Sequence, residues 1–435
     1  MALFSPLEGS LGKATSCLAG MGIVGSTVIC SPSAAQTIDA HWGEPDDVPG
    51  RGVIPEYTAP GFELAGFDVF PSVVIAGQAD SNVFSRTTVQ KSDLILIGEP
   101  QIRLRRKDAS RDYQVDAGLR RSEYLAHSEQ SATEYRLAAS HTYQVSRSSS
   151  LAGSLGYRRE AIQRGTVEND LVGGEPLMRR VTHASFMATK RFNRFRMEVR
   201  GAFVRQRFED VGSGTEPSSI ATDQSFRNVS RYGAQGVIDY DIGGRTSLFS
   251  ALQYDCLDYA HSPALLNRDA TNWSITGGFR SKLTPLLYAQ LGLGYRRYAF
   301  QHAALDAIDG IAISGDLQYY PSRLLAVRAH LDQTNTTSPY DFVGAVTLTT
   351  GRLELEYEMR RSISWLAAAK FTVEDYGDRD YSGRRLELGG GPRFRVNRWL
   401  TLEANVNYAR RWVHGPAPFE PFSRVYGGIS VTLAR

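Results

Sequence analysis

From Gly351 to Arg361 the chain alternates without a fault. Leu353, Leu355, Tyr357 and Met359 interleave with Arg352, Glu354, Glu356, Glu358 and Arg360. Successive side chains of a β-strand point to opposite faces, so one face of this stretch is apolar and the other is charged throughout. On a helix the same charges would spread around the cylinder and leave no apolar stripe. A soluble antiparallel sheet with one wet face also fits a single such run. The two are separated by whether the pattern recurs along the chain with a regular alternation of connections.

It recurs. Between Phe67 and Arg435 the sequence divides into about eighteen strand-like runs, with 16 as the alternative count. Tyr113, Val115, Ala117 and Leu119 oppose Gln114, Asp116, Gly118 and Arg120. Leu386, Leu388, Phe394 and Val396 oppose Arg385, Glu387, Arg393 and Arg395, and Leu400 and Leu402 oppose Thr401 and Glu403. The run 179–192 alternates least well, and the runs 226–243 and 341–360 are the longest. Every second connection is tight, as at Asn193-Arg194, Gly243-Gly244 and Asn397-Arg398, while the others are long and polar, as at 163–178 and 209–225. Short turns at one end and long loops at the other are the layout of a transmembrane barrel. The fold class is therefore all-β: a transmembrane antiparallel up-and-down β-barrel, closed because an open edge cannot survive in lipid. An even strand count puts both termini on one side, which is the periplasmic side of a cell outer membrane.

Aromatic residues fall near both ends of the runs. Phe192, Phe195, Trp365 and Trp399 lie by the tight turns, and Tyr124, Phe208, Tyr259, Phe300, Tyr376 and Trp412 by the loops. Two aromatic girdles at the two membrane interfaces are expected of such a barrel.

The N-terminal part reads differently. The apolar run Leu18–Cys30 follows Lys13 and precedes Ser33-Ala34-Ala35, which fits a secretory signal peptide over residues 1–35. Residues 36–66 repeat Pro, Gly and Asp and form an extended periplasmic lead-in, since repeated Pro forbids a helix or a central strand. The barrel domain occupies 67–435. After cleavage Cys256 is the one remaining cysteine, so no intrachain disulfide or cysteine-based metal site is available. The formal net charge of +3 does not point to nucleic acid.

The stretches Pro55-Glu56-Tyr57, Gly61–Phe67, Phe70-Pro71-Ser72 and Asp80–Phe84 resemble the opening of the outer-membrane β-barrel porins, family 2, of Gram-negative bacteria. Genes of that family often accompany exopolysaccharide clusters. The resemblance implies a porin-like channel and a conduit for export of an acidic exopolysaccharide. A general diffusion porin, an occluded structural or adhesive barrel and a barrel hydrolase are the alternatives. The partners it implies are outer-membrane lipid and lipopolysaccharide, the barrel insertion machinery and polysaccharide-export proteins. One departure is the C-terminus, where the last strand ends in Ala434-Arg435 rather than an aromatic residue.

No Cys-x-x-Cys, His-Glu-x-x-His, phosphate loop or Gly-x-Ser-x-Gly occurs, so no catalytic residue, metal ligand or cofactor is assigned and the chain reads as non-enzymatic. His127, His261, His302 and His414 each follow the loop-side end of a run, where histidine is either tolerated at an interface or available to a phosphate or metal. The candidate functional residues are instead those of the inner wall. The basic ones are Arg352, Arg360, Arg385, Arg393 and Arg395, and the acidic ones are Glu354, Glu356, Glu358, Glu387 and Glu403. Two outcomes are open for them. Arg and carboxylate on neighbouring strands can pair as bracing ladders. Alternatively the acids concentrate on 354–358 and leave the wall around 385–395 basic, giving modest anion selectivity.

Overall fold

The computed structural model describes residues 55–170, 174–210, 223–260, 267–377 and 379–435. The segment expected to be a signal peptide and most of the expected lead-in lie outside these. The described part of the lead-in is not simply extended: Pro55–Tyr57 forms a 3-10 turn. A short strand, β1 (Phe62–Leu64), then folds back through Ala65 and Gly66, both at positive φ, onto the strand that follows.

The wall begins with β2 (Phe67–Asp80), β3 (Asp93–Lys107), β4 (Arg111–Tyr124), β5 (Ala132–Ser146), β6 (Ser149–Ala161) and β7 (Met178–Phe192). It continues through β8 (Phe195–Phe208), β9 (Val229–Asp241), β10 (Thr246–Tyr259), β11 (Ala270–Thr284), β12 (Leu287–Phe300) and β13 (Ile308–Ser322). The last six are β14 (Leu325–Thr336), β15 (Val346–Arg360), β16 (Ile363–Asp375), β17 (Ser382–Arg395), β18 (Leu400–His414) and β19 (Phe422–Ala434). Each strand pairs antiparallel with its neighbour in sequence, and β19 returns to β2, with Tyr426 opposite Asp80 and Ala434 opposite Ser72. Eighteen strands thus close on themselves and no wall edge is left to pair with another chain. Register shifts at Gln144/Ser146, Lys282/Thr284, Tyr319/Ser322 and Glu358/Arg360 all sit beside tight turns. Extra residues there bend the strands at the rim.

The outer face is apolar from strand to strand. Ile75, Leu96, Leu137, Leu155, Val199, Leu252, Leu293, Ile311, Val406 and Ile429 all stand exposed on it. A band of that size in water would be a severe liability, and lipid is the solvent that removes it. Strand β7, the run with the poorest alternation, follows the rule less plainly because its inward face includes fully buried Val181. His183 on the same face occupies the space over Gly156 of β6, where a Cβ would meet the imidazole at 2.0 Å.

Two strands start later than the pattern predicts. Phe226 and Arg227 are buried in a 3-10 turn before β9. Tyr340 and Val343, ahead of β15, pack into a cluster under the long loops rather than extending the wall. The turn-side girdle has the expected Phe192, Phe195, Trp365 and Trp399, all exposed. The loop-side girdle does not have the expected members. Phe208, Tyr259 and Tyr376 are buried, Tyr124 and Phe300 are partly buried, and of that group Trp412 alone is exposed. Parity turns Phe208 and Tyr259 inward, and the outward aromatics at this level are Tyr135, Tyr157, Tyr232, Tyr254 and Tyr295.

Candidate functional site

The inner wall is the polar half of each strand, and most of its described charges are paired. Arg103 donates to Asp116 at 2.7 Å and Arg105 to Asp112 at 2.6 Å across the β3–β4 hairpin. Arg196 and Arg200 flank Glu198, each at 3.1 Å. Arg280 of β11 reaches Asp239 of β9, and Arg231 lies 3.0 Å from Asp255. Charge-assisted bonds of this kind are stronger than neutral ones and fix strand against strand.

The predicted wall residues fall into this lattice. Arg393 binds Glu403, Glu356 lies 3.6 Å from Arg328, and Arg352 lies 3.7 Å from Glu354. Glu387 sits between Lys370 at 3.2 Å and Arg385 at 3.7 Å. Arg395 is the exception near the turn side. Its described hydrogen-bond partners are the Ser364 hydroxyl at 3.0 Å and the Arg361 carbonyl at 3.4 Å. Arg360 is exposed at the rim, and Glu358 is partly buried. The stretch 385–395 is therefore brought into the ladder at Arg385 and Arg393, and only Arg395 keeps a charge with no described carboxylate contact. Replacing Arg395 with Gln, which removes a cation with no described carboxylate contact, is expected to lower any anion preference of the reversal potential, whereas R393Q/E403Q, which removes a neutral pair, is expected to leave it nearly unchanged. Equal effects from the two would show that pairing does not govern selectivity.

The feature that sequence reasoning missed is a strap across the loop-side mouth. Residues 162–170 leave β6 and turn inward. Glu168 accepts from Thr336 of β14 at 2.8 Å, eight strands along the ring and close to the opposite wall. The Gly165 carbonyl accepts from Arg385 of β17 at 3.3 Å. Asp170 pairs with Arg411 of β18, and its carbonyl accepts from Arg86 at 3.1 Å. Arg411 binds Glu374 as well, donates to the Tyr376 hydroxyl at 3.2 Å and stacks over Phe419. Gly165 has φ +73°, and a Cβ there would meet the Phe422 ring at 2.5 Å, so both conformation and space call for glycine. Val167 completes an apolar cluster with Tyr340, Val343, Val346, Tyr376, Tyr381 and Phe419.

Electrostatics hold the strap in place. Burial pushes the Glu168 carboxyl up, but Arg179 at 2.9 Å and Arg227 outweigh it and the group ends below the usual carboxylate range. Burial draws Arg164 down to about 10 and Arg227 down to about 9. A second clamp joins the loops beside the strap. Glu420 accepts from the Thr87 and Thr88 amides at 3.2 and 3.1 Å and pairs with Arg86 at 3.1 Å. Burial raises the Glu420 carboxyl, and the Thr88 donors with Arg86 lower it further, so its net shift is downward. A lowered folded pKa means that the clamp is complete above the ordinary glutamate range and is lost as pH falls through the folded value. Protease nicking at 86–88 is expected to begin as the pH drops below about 4, and E420Q should be nicked at neutral pH. Equal resistance of both proteins at all pH values would refute the clamp.

The histidines of the loop side do not gather. His127 lies 3.1 Å from Asp93, His302 accepts from the Ala304 amide at 3.1 Å, and His261 lies outside the described residues. Among the described residues no three metal-ligating side chains cluster.

The family model described as "Putative beta-barrel porin 2" matches residues 54–434, which is the whole wall and the hairpin before it. The chain belongs to this porin family. Membership places it among outer-membrane β-barrel, porin-like channels. No curated protein matches its sequence. Among solved structures it is similar to the ferric enterobactin receptor PfeA of Pseudomonas aeruginosa, in a mutant form, at 10% identity and TM-score 0.45, covering 87% of this chain and 83% of that one. The siderophore receptor PirA of Acinetobacter baumannii is similar at 5% identity and TM-score 0.44, with 84% and 80% covered. OccAB3 of Acinetobacter baumannii is similar at 12% identity and TM-score 0.45, with 86% and 100% covered.

Proposed function

We propose that this porin-family barrel is a conduit for an acidic exopolysaccharide, with its long loops outside the cell and both termini in the periplasm. The observation that carries the reading is the latch of the strap. An Arg–carboxylate pair, Arg411 with Asp170, holds a loop across the mouth, and Arg385 holds the same loop by a neutral carbonyl. A polymer bearing a carboxylate on each repeat competes for both guanidinium groups, whose planar forks suit repeated bidentate contacts. Neutral sugars offer no such competitor. The paired inner wall leaves few isolated charges along the path, which suits a sliding polyanion better than a lumen of unpaired arginines that would trap it. Outer-membrane lipid, the barrel insertion machinery and polysaccharide-export proteins are its partners in this reading.

Current through single channels tests the cargo. Polygalacturonate added on the turn side should interrupt the current at concentrations where dextran of equal length has no effect. Equal interruption by both polymers would leave a general diffusion porin. The orientation has its own test. An epitope inserted within 209–225 should be stained on intact cells, and one at Arg361-Ser362 only after permeabilisation. The opposite staining would reverse the barrel.

A further inference from the structure

We propose that the outward arginines at the loop-side ends of β4 to β8 form a docking surface for the phosphorylated headgroup of an outer-leaflet glycolipid. The inference rests on the outward placement of the long loops given above. Registers set Arg159 of β6 opposite Arg180 of β7, and Arg180 opposite Arg207 of β8. Arg205 lies two residues before Arg207 on the same face, and Arg121 of β4 stands at the same end of the wall. Three like charges directly across neighbouring strands are unfavourable unless something anionic lies among them.

The described residues supply too little. Glu209 serves both Arg159 and Arg180 at 2.7 Å, and Glu123 serves Arg121 at 2.8 Å. Arg205 and Arg207 are exposed and make no ion pair among the described residues. Among the described residues five guanidinium groups therefore face two carboxylates. The arginines are also oriented: Thr133 accepts from Arg159 through its carbonyl at 2.6 Å and from Arg121 through its hydroxyl at 3.1 Å.

Depth fits the same ligand. Tyr135 stands opposite Arg159, and Tyr157 is the next outward residue toward the membrane, with ring centroids 6.0 Å apart; Leu137 and Leu155 follow, all exposed. Phe203 and Tyr232 continue the ring at 5.2 Å. A ligand here has its acyl chains on the apolar band and its phosphate on the arginines, whose planar forks suit phosphate oxygens. The surface is local. Next to Arg205 the wall presents Ser230 of β9, and Ser230 faces Asp258 of β10.

The purified full chain in detergent can be titrated with lipid A carrying both phosphates, with the same lipid A after enzymatic removal of the phosphates, and with inorganic phosphate. Native mass spectrometry reads the bound lipid. The phosphorylated form should bind at least about tenfold more tightly than the stripped form, and inorganic phosphate should not displace it at equal concentration. R205Q/R207Q removes two groups with no described structural partner, so the barrel should keep its heat-modifiable mobility while lipid A binding falls several-fold. R384Q/R410Q, on the far side of the wall, should bind as wild type. Equal binding of stripped and phosphorylated lipid, or unchanged binding by folded R205Q/R207Q, would overturn the proposal. Binding in detergent does not depend on orientation, so a failure here is distinct from reversed epitope staining.

Discussion

Leu293→Arg is expected to destabilise the membrane-embedded barrel by about 2–4 kcal/mol. Leu293 lies at the middle of β12, 62% exposed on the outer face, with Gly277 and Ile313 opposite it on the two neighbouring strands. At that depth a guanidinium has neither water nor a carboxylate within the apolar band, and it is too far from either interface to reach one at no cost. Leu293→Met keeps the volume and the apolar character and should cost less than about 1.5 kcal/mol. The comparison is made by denaturant unfolding in lipid vesicles. A neutral Leu293→Arg would mean that the apolar face does not meet lipid, and the membrane reading of the wall would go with it.

The second large effect concerns the strap. Arg411→Met leaves Asp170 and Glu374 buried and facing each other without their shared cation. Breaking one partner out of a buried ionic cluster costs about 3–5 kcal/mol. Only the loop side depends on the cluster, so the expected result is release of residues 162–170 with the strand lattice intact. Single-channel conductance should rise and heat-modifiable mobility should be kept. Asp170→Asn should raise it less, because Glu374 still neutralises Arg411 and no buried carboxylate is left without its cation. A folded Arg411→Met barrel with unchanged conductance would show that the strap does not narrow the path.

The wall was almost fully legible in the sequence because its cause is local. A strand between lipid and a polar interior must alternate, and the chain prints that alternation residue by residue. Each of the eighteen strands falls within or overlaps a predicted run, and the shortfalls have particular origins. Val343 continues an apolar pattern into β15 but belongs to the mouth cluster, so periodicity lengthened that strand. Tyr259 and Phe208 stand at the right level for a girdle but have inward parity. Part of the ladder was also local, since Arg158 and Glu160, Arg352 and Glu354, and Arg385 and Glu387 stand two apart on one strand face. The strap was not legible at all. Asp170 and Arg411 meet across 241 residues, and no local period announces such a contact. The glycine of Gly165 was the one signal present, and only the position of Phe422 reveals why it is there.

This wall is expected to enclose a water-filled path, narrowed by the loop pinned across it at Arg411. The most direct measurement is conductance of the purified protein in a planar bilayer. Discrete, low-conductance openings are predicted for the wild-type chain, with larger openings once Arg411 is replaced. A wild-type protein that inserts, keeps its heat-modifiable mobility and passes no current, and that stays silent as Arg411→Met, would contradict the account.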